Sequence, residues 1–141
     1  MRGKWKDEDG RSLVEFALCA STLFLITFGL MNICFALYSY NFVAEAARDA
    51  SRYAMVRGSS STGFSDRNIS SAQLQTYVQY LNYPGINAAN VRVYTSWPSG
   101  NAPGGTVSVT VTYQFPVMIP FFSQNGTNWH MASTSQMTIS Q

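Results

Sequence analysis

The sequence predicts an α+β fold, in which a long N-terminal helix able to cross a membrane continues into a small domain with a second short helix and a three-stranded antiparallel sheet. Three observations predict it. Residues 16–44 contain no Asp, Glu, Lys or Arg, apolar residues recur at helical spacing within 70–82, and the apolar period changes to two after Asn90. The chain is therefore expected to be a membrane helix joined to one soluble unit.

The composition of the 141-residue chain fits this division, because 46% of its residues are hydrophobic and only 11% are charged. Most of the charged residues lie in the first part of the chain. Those after Gly58 are Asp66, Arg67 and Arg92. The soluble unit thus has no basic stripe with interleaved aromatic residues, which argues against nucleic acid as a partner.

The charge-free run is longer than the roughly 20 residues that a helix needs to cross the hydrocarbon core of a bilayer. The pattern predicts one helix over 11–57, with a transmembrane part at about 16–40. Residues 1–10 form a polar leader, and four basic residues lie at this end of the helix: Arg2, Lys4, Lys6 and Arg11. The positive-inside rule favours a cytoplasmic N-terminus, and the domain formed by 58–141 is then expected on the other side of the membrane.

The C-terminal part of the long helix has two different faces. One arc carries two oppositely charged pairs at i,i+3 spacing: Glu45 with Arg48 and Asp49 with Arg52. The opposite arc carries small side chains: Ala46, Ala47, Ala50 and Ala54. Small residues let another backbone approach closely. The partner of this alanine face is either the chain's own domain or the helix of another subunit, and the sequence leaves both open.

The second helix is predicted at about 70–82. Ser70 followed by Gln73 is the pattern of a capping box, and Ile69 is placed to pack against Leu74 as a hydrophobic staple. Leu74, Tyr77, Val78 and Leu81 then form one apolar stripe. The stop follows at Tyr83, Pro84 and Gly85.

Alternating apolar and polar residues predict three strands, at 91–97, 107–115 and, with weaker alternation, 131–139. In the third strand, Met137 and Ile139 are expected to point inward. Pro116 and Pro120 predict a loop at 116–122, because proline cannot donate to a strand ladder. The apolar side chains of this loop either close the core or form a contact patch: Met118, Ile119, Phe121 and Phe122.

The soluble unit offers few groups that could carry chemistry. It has one histidine, His130, one aspartate, Asp66, and neither cysteine nor glutamate. A metal site, a nucleophile with its base, or a phosphate-binding loop cannot be assembled from this set. The sequence therefore predicts a protein that is not an enzyme and that has no cofactor.

The segment GRSLVEFAL at 10–18 resembles the processing site of type IV pilin-like proteins, in which a prepilin peptidase cuts after a glycine. The resemblance is closer still to the TadE-like family of the tight-adherence (Flp-type) pilus system. It is carried by this segment, by Gly29 inside the apolar run, and by AEAARDASRYAMVRG at 44–58. The resemblance implies a pilin-like fold, cleavage after Gly10 and a mature chain that begins at Arg11.

The resemblance also implies a function. The chain would be a non-enzymatic minor pilin or pseudopilin of a tight-adherence pilus or a related secretion machine, held in the bacterial inner membrane and extracellular once in a filament. Its partners would be the membrane, other pilin-like subunits and a prepilin peptidase. Glu15 would pair with the new N-terminal ammonium of a neighbouring subunit. The residues expected to take part in assembly are Glu15, Phe16, Gly29, Ala46, Ala47, Ala50 and Ala54.

Two alternatives remain at this level. The chain could be an uncleaved bitopic scaffold subunit of an envelope complex, which would keep Met1 at its N-terminus. It could also carry an adhesive or glycan-binding domain. That alternative requires an aromatic surface formed by Tyr94, Tyr113, Trp97 and Trp129.

Overall fold

The computed structural model describes residues 4–63, 69–81, 83–117 and 128–140, with backbone alone for 4–9. Within them lie one long helix, one short helix, one 3₁₀ turn and three strands, in the order ααηβββ. The 3₁₀ turn covers Ala88–Asn90 and leads directly into the first strand. The predicted α+β class and its elements are confirmed.

The long helix α1 covers Lys4–Met55. It begins earlier than the predicted Arg11 and ends just before the predicted Arg57, so the polar leader is helical from Lys4 onward. The leader contains no proline, and a single glycine at position 10 costs a helix only about 1 kcal/mol relative to alanine. Between Gly10 and Met55 the helix is long and apolar enough to cross a membrane, and its most apolar window is entirely unburied.

The short helix α2 covers Ser71–Tyr80 and begins as predicted. The Ser70 hydroxyl accepts from the backbone N–H of Gln73, and the Ser70 N–H donates to the Gln73 side chain at 2.9 Å, which completes the capping box. Ile69 and Leu74 are both buried, as a hydrophobic staple requires. The helix ends shortly before the predicted boundary.

The three strands form one antiparallel sheet in the order β1-β2-β3. They are β1 Val91–Ser96, β2 Thr106–Pro116 and β3 Asn128–Thr138. The strand β3 starts before the predicted 131 because its pairing with β2 continues to the end of that strand. Inward positions are as predicted at Ile139, which is buried, and at Met137, which packs against the core.

The placement of Pro116 in a loop was wrong, since this residue ends β2 and lies opposite Asn128 of β3. Pairing between β1 and β2 stops at Val91 and Tyr113. Beyond that point β2 has a neighbour on one side only, and a proline is tolerated where no N–H is needed. The other residues of the predicted loop, 118–122, lie outside the described part of the chain.

The core lies between α1 and the inner face of the sheet. The inner side chains of β2 are largely or wholly buried: Val107, Val109, Val111, Tyr113 and Phe115. The helix meets them with small side chains, and the Ser51 hydroxyl lies 2.9 Å from the Ser135 hydroxyl of β3. The other helix, α2, covers β1, where Ser71 accepts from the Thr95 N–H at 3.1 Å.

Candidate functional site: the free half of the long helix

The long helix is divided near its middle into two halves with different surroundings. From Gly10 onward, the first buried residue of α1 is Ala36, at 7% exposure. We call residues 10–35 the free half and residues 36–55 the packed half. The free half has no buried side chain, whereas the inner face of the packed half is covered by the sheet.

Large apolar side chains cover the free half on all sides. Phe16 is 73% exposed and Leu25 is 58% exposed, and the pattern continues to Phe35. An unbroken surface of this kind exceeds the apolar patches that soluble monomers tolerate in water. The surface requires either lipid or other apolar helices around it.

Four uncharged polar side chains of the free half form hydrogen bonds to backbone carbonyls of the same helix. The Ser21 and Thr22 hydroxyls both donate to the Leu18 carbonyl at 2.9 Å. Farther along, Thr27 donates to the Leu23 carbonyl at 2.8 Å, and the Asn32 amide donates to the Phe28 carbonyl at 3.0 Å. These groups can enter hydrocarbon because their hydrogen-bond partners lie in the same helix. A helix within a bilayer must satisfy its polar groups in this way, since water is absent there.

Glu15 lies on this surface and is exposed, as are Gly10 and Arg11. Among the described residues, the ion pairs are those of the packed half, Glu45 with Arg48 at 3.6 Å and Asp49 with Arg52 at 3.9 Å. The charged arc is thus as predicted. Glu15 has no ion-pair partner within the described part of its own chain, and carboxylates inside apolar membrane helices usually pair with another group.

Gly29 lies in the middle of the free half, and the chain's own fold does not need a glycine there. Beyond the neighbouring backbone of its own helix, a β-carbon added at this position would meet no described atom within 4 Å. A glycine inside a helix is less favourable than alanine by about 1 kcal/mol. Its small size would be useful where a second helix approaches closely.

The predicted assembly residues fall into two groups. Glu15, Phe16 and Gly29 lie on the free half, as do the predicted processing residues Gly10 and Arg11. The other group is fully buried against the chain's own sheet: Ala46, Ala47, Ala50 and Ala54. The sequence left two partners open for the alanine face, and in the structure this face packs against the chain's own domain. These alanines position the domain on the helix and lie on no exposed surface of the single chain.

Sequence reasoning missed the aromatic contacts that hold the domain to the start of the packed half. The Tyr38 hydroxyl donates to the Pro84 carbonyl at 2.9 Å. The Phe42 ring meets Tyr83 edge-on at 4.8 Å and Tyr113 at 6.2 Å between ring centroids. No local pattern signals these contacts, because the partners are far apart in sequence.

Tyr83 lies where burial and two nearby carboxylates act on its phenol. Its partial burial beside Phe42 raises the pKa of the phenol, and the carboxylates of Asp49 and Glu45 raise it further. Both causes disfavour the phenolate. Tyr83 therefore stays neutral over the physiological range and acts as a packing residue.

A second aromatic contact lies toward the C-terminal end of α1. The Tyr53 ring stacks on Tyr77 of α2 at 4.2 Å, and the Arg57 guanidinium lies 3.4 Å from the Tyr53 ring centroid. Together they tie α2 to the long helix. This contact too is structural.

The aromatic residues proposed for a ligand surface do not lie together. Tyr94 is exposed on the outer face of the sheet, and Tyr113 is buried on the inner face. Trp97 packs against the core beside the β1–β2 connection, and Trp129 lies at the opposite end of the sheet. The described residues also contain no group of three or more His, Cys, Asp or Glu that could hold a metal ion.

The family model described as TadE-like protein matches residues 10–52. Residues 10–52 are therefore similar to this family. The resemblance drawn from the motifs is confirmed, and the match covers the free half together with most of the packed half. No match was found among curated proteins or among solved structures.

Proposed function

We propose that this chain is a non-enzymatic, membrane-anchored, pilin-like subunit, a minor pilin of a tight-adherence pilus or a related secretion machine. The observation that carries the proposal is the division of α1 within a TadE-like region. The packed half is covered on its inner face by the domain. The free half presents large apolar side chains that no other part of the described chain covers. Such a helix can anchor a subunit in a bilayer and later bundle with the helices of other subunits.

The free half has the length of a membrane span. Residues 16–35 rise about 30 Å at about 1.5 Å per residue, which equals the thickness of the hydrocarbon core. The sequence placed the end of the span near 40, but Ala36 and Ser39 are buried by the domain. We therefore place the end of the proposed span near Phe35, so that the exposed Tyr38 and Tyr40 would lie at the level where membrane proteins carry aromatic belts.

Glu15 would act when subunits come together. Cleavage after Gly10 would create an α-ammonium at Arg11, and the Glu15 carboxylate of a neighbouring subunit would pair with it. Each ion would offset the burial cost of the other, which is large for a single charge in hydrocarbon. The pair would set the register of one helix against the next.

The Glu15→Ala variant tests this proposal, with Glu45→Ala as the matched control. Glu45 is an exposed acid of the packed half that pairs with Arg48 of its own helix. We expect Glu15→Ala to enter membranes normally but to be lost from sheared filaments, and Glu45→Ala to behave as the wild type. Undiminished incorporation of Glu15→Ala into filaments would remove the proposed role of this residue.

An uncleaved scaffold subunit is the second candidate, and one observation favours it. Gly10 lies inside α1, with helix on both sides of the expected cut. A peptidase must open such a backbone before it can cleave it. Mass spectrometry of the protein from membranes distinguishes the two: a chain beginning at Arg11 supports the pilin-like subunit, and a chain that keeps the leader supports the scaffold.

A further inference from the structure

The sheet runs alongside the packed half, so its two ends can be placed along the helix. Near the C-terminal end of the packed half, Ser51 forms a hydrogen bond with Ser135, which pairs with Val109 of β2. Near its start, Phe42 touches Tyr113 of the same strand. From Phe42 to Ser51 the helix rises about 14 Å, and from Tyr113 to Val109 the strand also covers about 14 Å. The axes of the helix and of β2 are therefore nearly aligned, and the two elements run in opposite directions.

The end of the sheet beyond Tyr113 consequently points toward the free half. Pro116 lies about 10 Å farther along the strand than Tyr113. That places it level with about Phe35, where the free half ends. The same end receives the connection that follows α2, because the Pro84 carbonyl is bonded to Tyr38.

The residues at this end are apolar or aromatic. Trp129 of β3 is 48% exposed, and the centroid of its ring lies 6.5 Å from the centroid of the Phe115 ring. Val117 is half-buried and packs against the core. No Asp, Glu, Lys or Arg occurs in the described segments that form this end, which are 83–90, 113–117 and 128–131. We call Tyr38, Phe115, Val117 and Trp129 the membrane-proximal end of the domain.

We propose that the membrane-proximal end lies on the lipid bilayer that holds the free half, with Trp129 in the interface between headgroups and acyl chains. The inference rests on the proposed function, since it requires the free half to be inserted. The occupant is lipid because this surface is continuous with the point where the helix leaves the membrane. Trp and Tyr are enriched in that layer, where an apolar ring and a polar N–H or O–H are both satisfied.

Such a contact has a mechanical consequence for the subunit. A helix alone can tilt and rotate in a bilayer, and its neighbours or interfacial anchors fix its orientation. With Trp129 resting on the surface, the domain would hold the helix at one depth and one rotation. Every subunit would then present the same side of its free half to its neighbours before assembly.

The tryptophans of the chain provide the test, because they are few and well placed. They are Trp5, Trp97 and Trp129. Trp97 lies next to Ser96, which pairs with Ser108, about 24 Å along the sheet from the Phe115–Trp129 pair. The full chain with Trp5→Phe and Trp97→Phe keeps only Trp129, and the chain with Trp5→Phe and Trp129→Phe keeps only Trp97. A third chain, Phe24→Trp with all three native tryptophans changed to Phe, probes the free half.

Each chain is reconstituted at low density into phosphatidylcholine vesicles with or without brominated acyl chains, which quench tryptophan emission at close range. Circular dichroism confirms that the three chains have equal helix content. We expect strong loss of emission from the Phe24→Trp chain, clear loss from the Trp129 chain and no loss from the Trp97 chain. The Trp129 emission should also be blue-shifted relative to the same protein in its denatured form.

The outcomes separate the two proposals. If the Phe24→Trp chain is quenched and Trp129 is not, the domain stands clear of the membrane and this inference is wrong, while the anchored helix remains. If Trp129 and Trp97 are quenched equally, the domain lies on its side and the inference is also wrong. If the Phe24→Trp chain is not quenched, the free half is not inserted and the proposed function fails first.

Discussion

The two halves of α1 belong to one unbroken helix, yet they differ in what surrounds them and in side-chain size. The free half carries exposed Leu, Ile and Phe side chains, and the packed half presents Ala and Ser to the sheet. Small side chains allow a sheet to approach the helix closely, as the 2.9 Å contact between Ser51 and Ser135 shows. Small side chains mark the stretch where the sheet lies closest to the helix, whereas the large Phe42 ring packs against the domain near the start of the packed half.

The largest expected effect comes from enlarging one alanine in each half. Ala50 is fully buried against the sheet, so Ala50→Leu should destabilise the domain by about 1–3 kcal/mol through overpacking. Ala17 is exposed in the free half, so Ala17→Leu should leave the stability unchanged. Thermal unfolding of both full-length chains in detergent measures the difference. Equal melting temperatures would show that the halves are not distinct.

The second effect concerns Gly29, which has no neighbour in the described chain within 4 Å of an added β-carbon. We expect Gly29→Ala and Gly29→Leu to keep or slightly raise helix stability, because glycine is the poorer helix former. Incorporation into filaments should fall from wild type to alanine and further to leucine, since a bulky side chain separates neighbouring helices. Quantitative blotting of sheared filaments against membranes provides the measurement. Wild-type incorporation of the leucine variant would mean that no helix approaches here.

A smaller effect is expected at the hydroxyl pair that joins the packed half to β3. The Ser51 hydroxyl donates to the Arg48 carbonyl at 2.8 Å, which leaves Ser135 as the donor to Ser51. Removing one hydroxyl with Ser135→Ala should cost about 1 kcal/mol of unfolding free energy. A double-mutant cycle with Ser51→Ala should give less than the sum of the single changes, whereas strict additivity would mean that the hydroxyls do not interact.

The smallest effect is a pH dependence from Tyr83. Because its folded pKa is raised above the ordinary value near 10, the fold favours the neutral phenol. The corresponding stability is present below pH 10 and is lost as the pH rises through the folded pKa. Chemical denaturation between pH 8 and about 11 should therefore show a steeper alkaline loss for the wild type than for Tyr83→Phe. Parallel curves would contradict the assignment.

The sequence predicted those parts of the fold that depend on local chemistry. Ser70 and Gln73 predicted the start of α2, and the alternation of apolar and polar residues from Val107 to Phe115 predicted the central strand. Both signals act through neighbouring residues, by capping and by the period of a strand. The TadE-like region was predictable for a similar reason, because its motifs are continuous in the chain.

Features that depend on distant partners could not be read in the same way. The boundary at Ala36 lies inside a charge-free run, so no change in polarity marks where the domain begins to cover the helix. The place of Pro116 depends on β1 being shorter than β2. The position of Trp129 at the end nearest the free half depends on the register of all three strands. None of these is encoded in a local pattern.

We propose that the free half makes its contacts outside its own chain, first with lipid and then with other helices. The most direct measurement places a photoreactive amino acid at Leu25 in cells that make the pilus and identifies the cross-linked partner by mass spectrometry. The account predicts an adduct with the N-terminal helix of another pilin-like subunit. An adduct with the chain's own domain, or an unassembled chain with no protein partner, would contradict it.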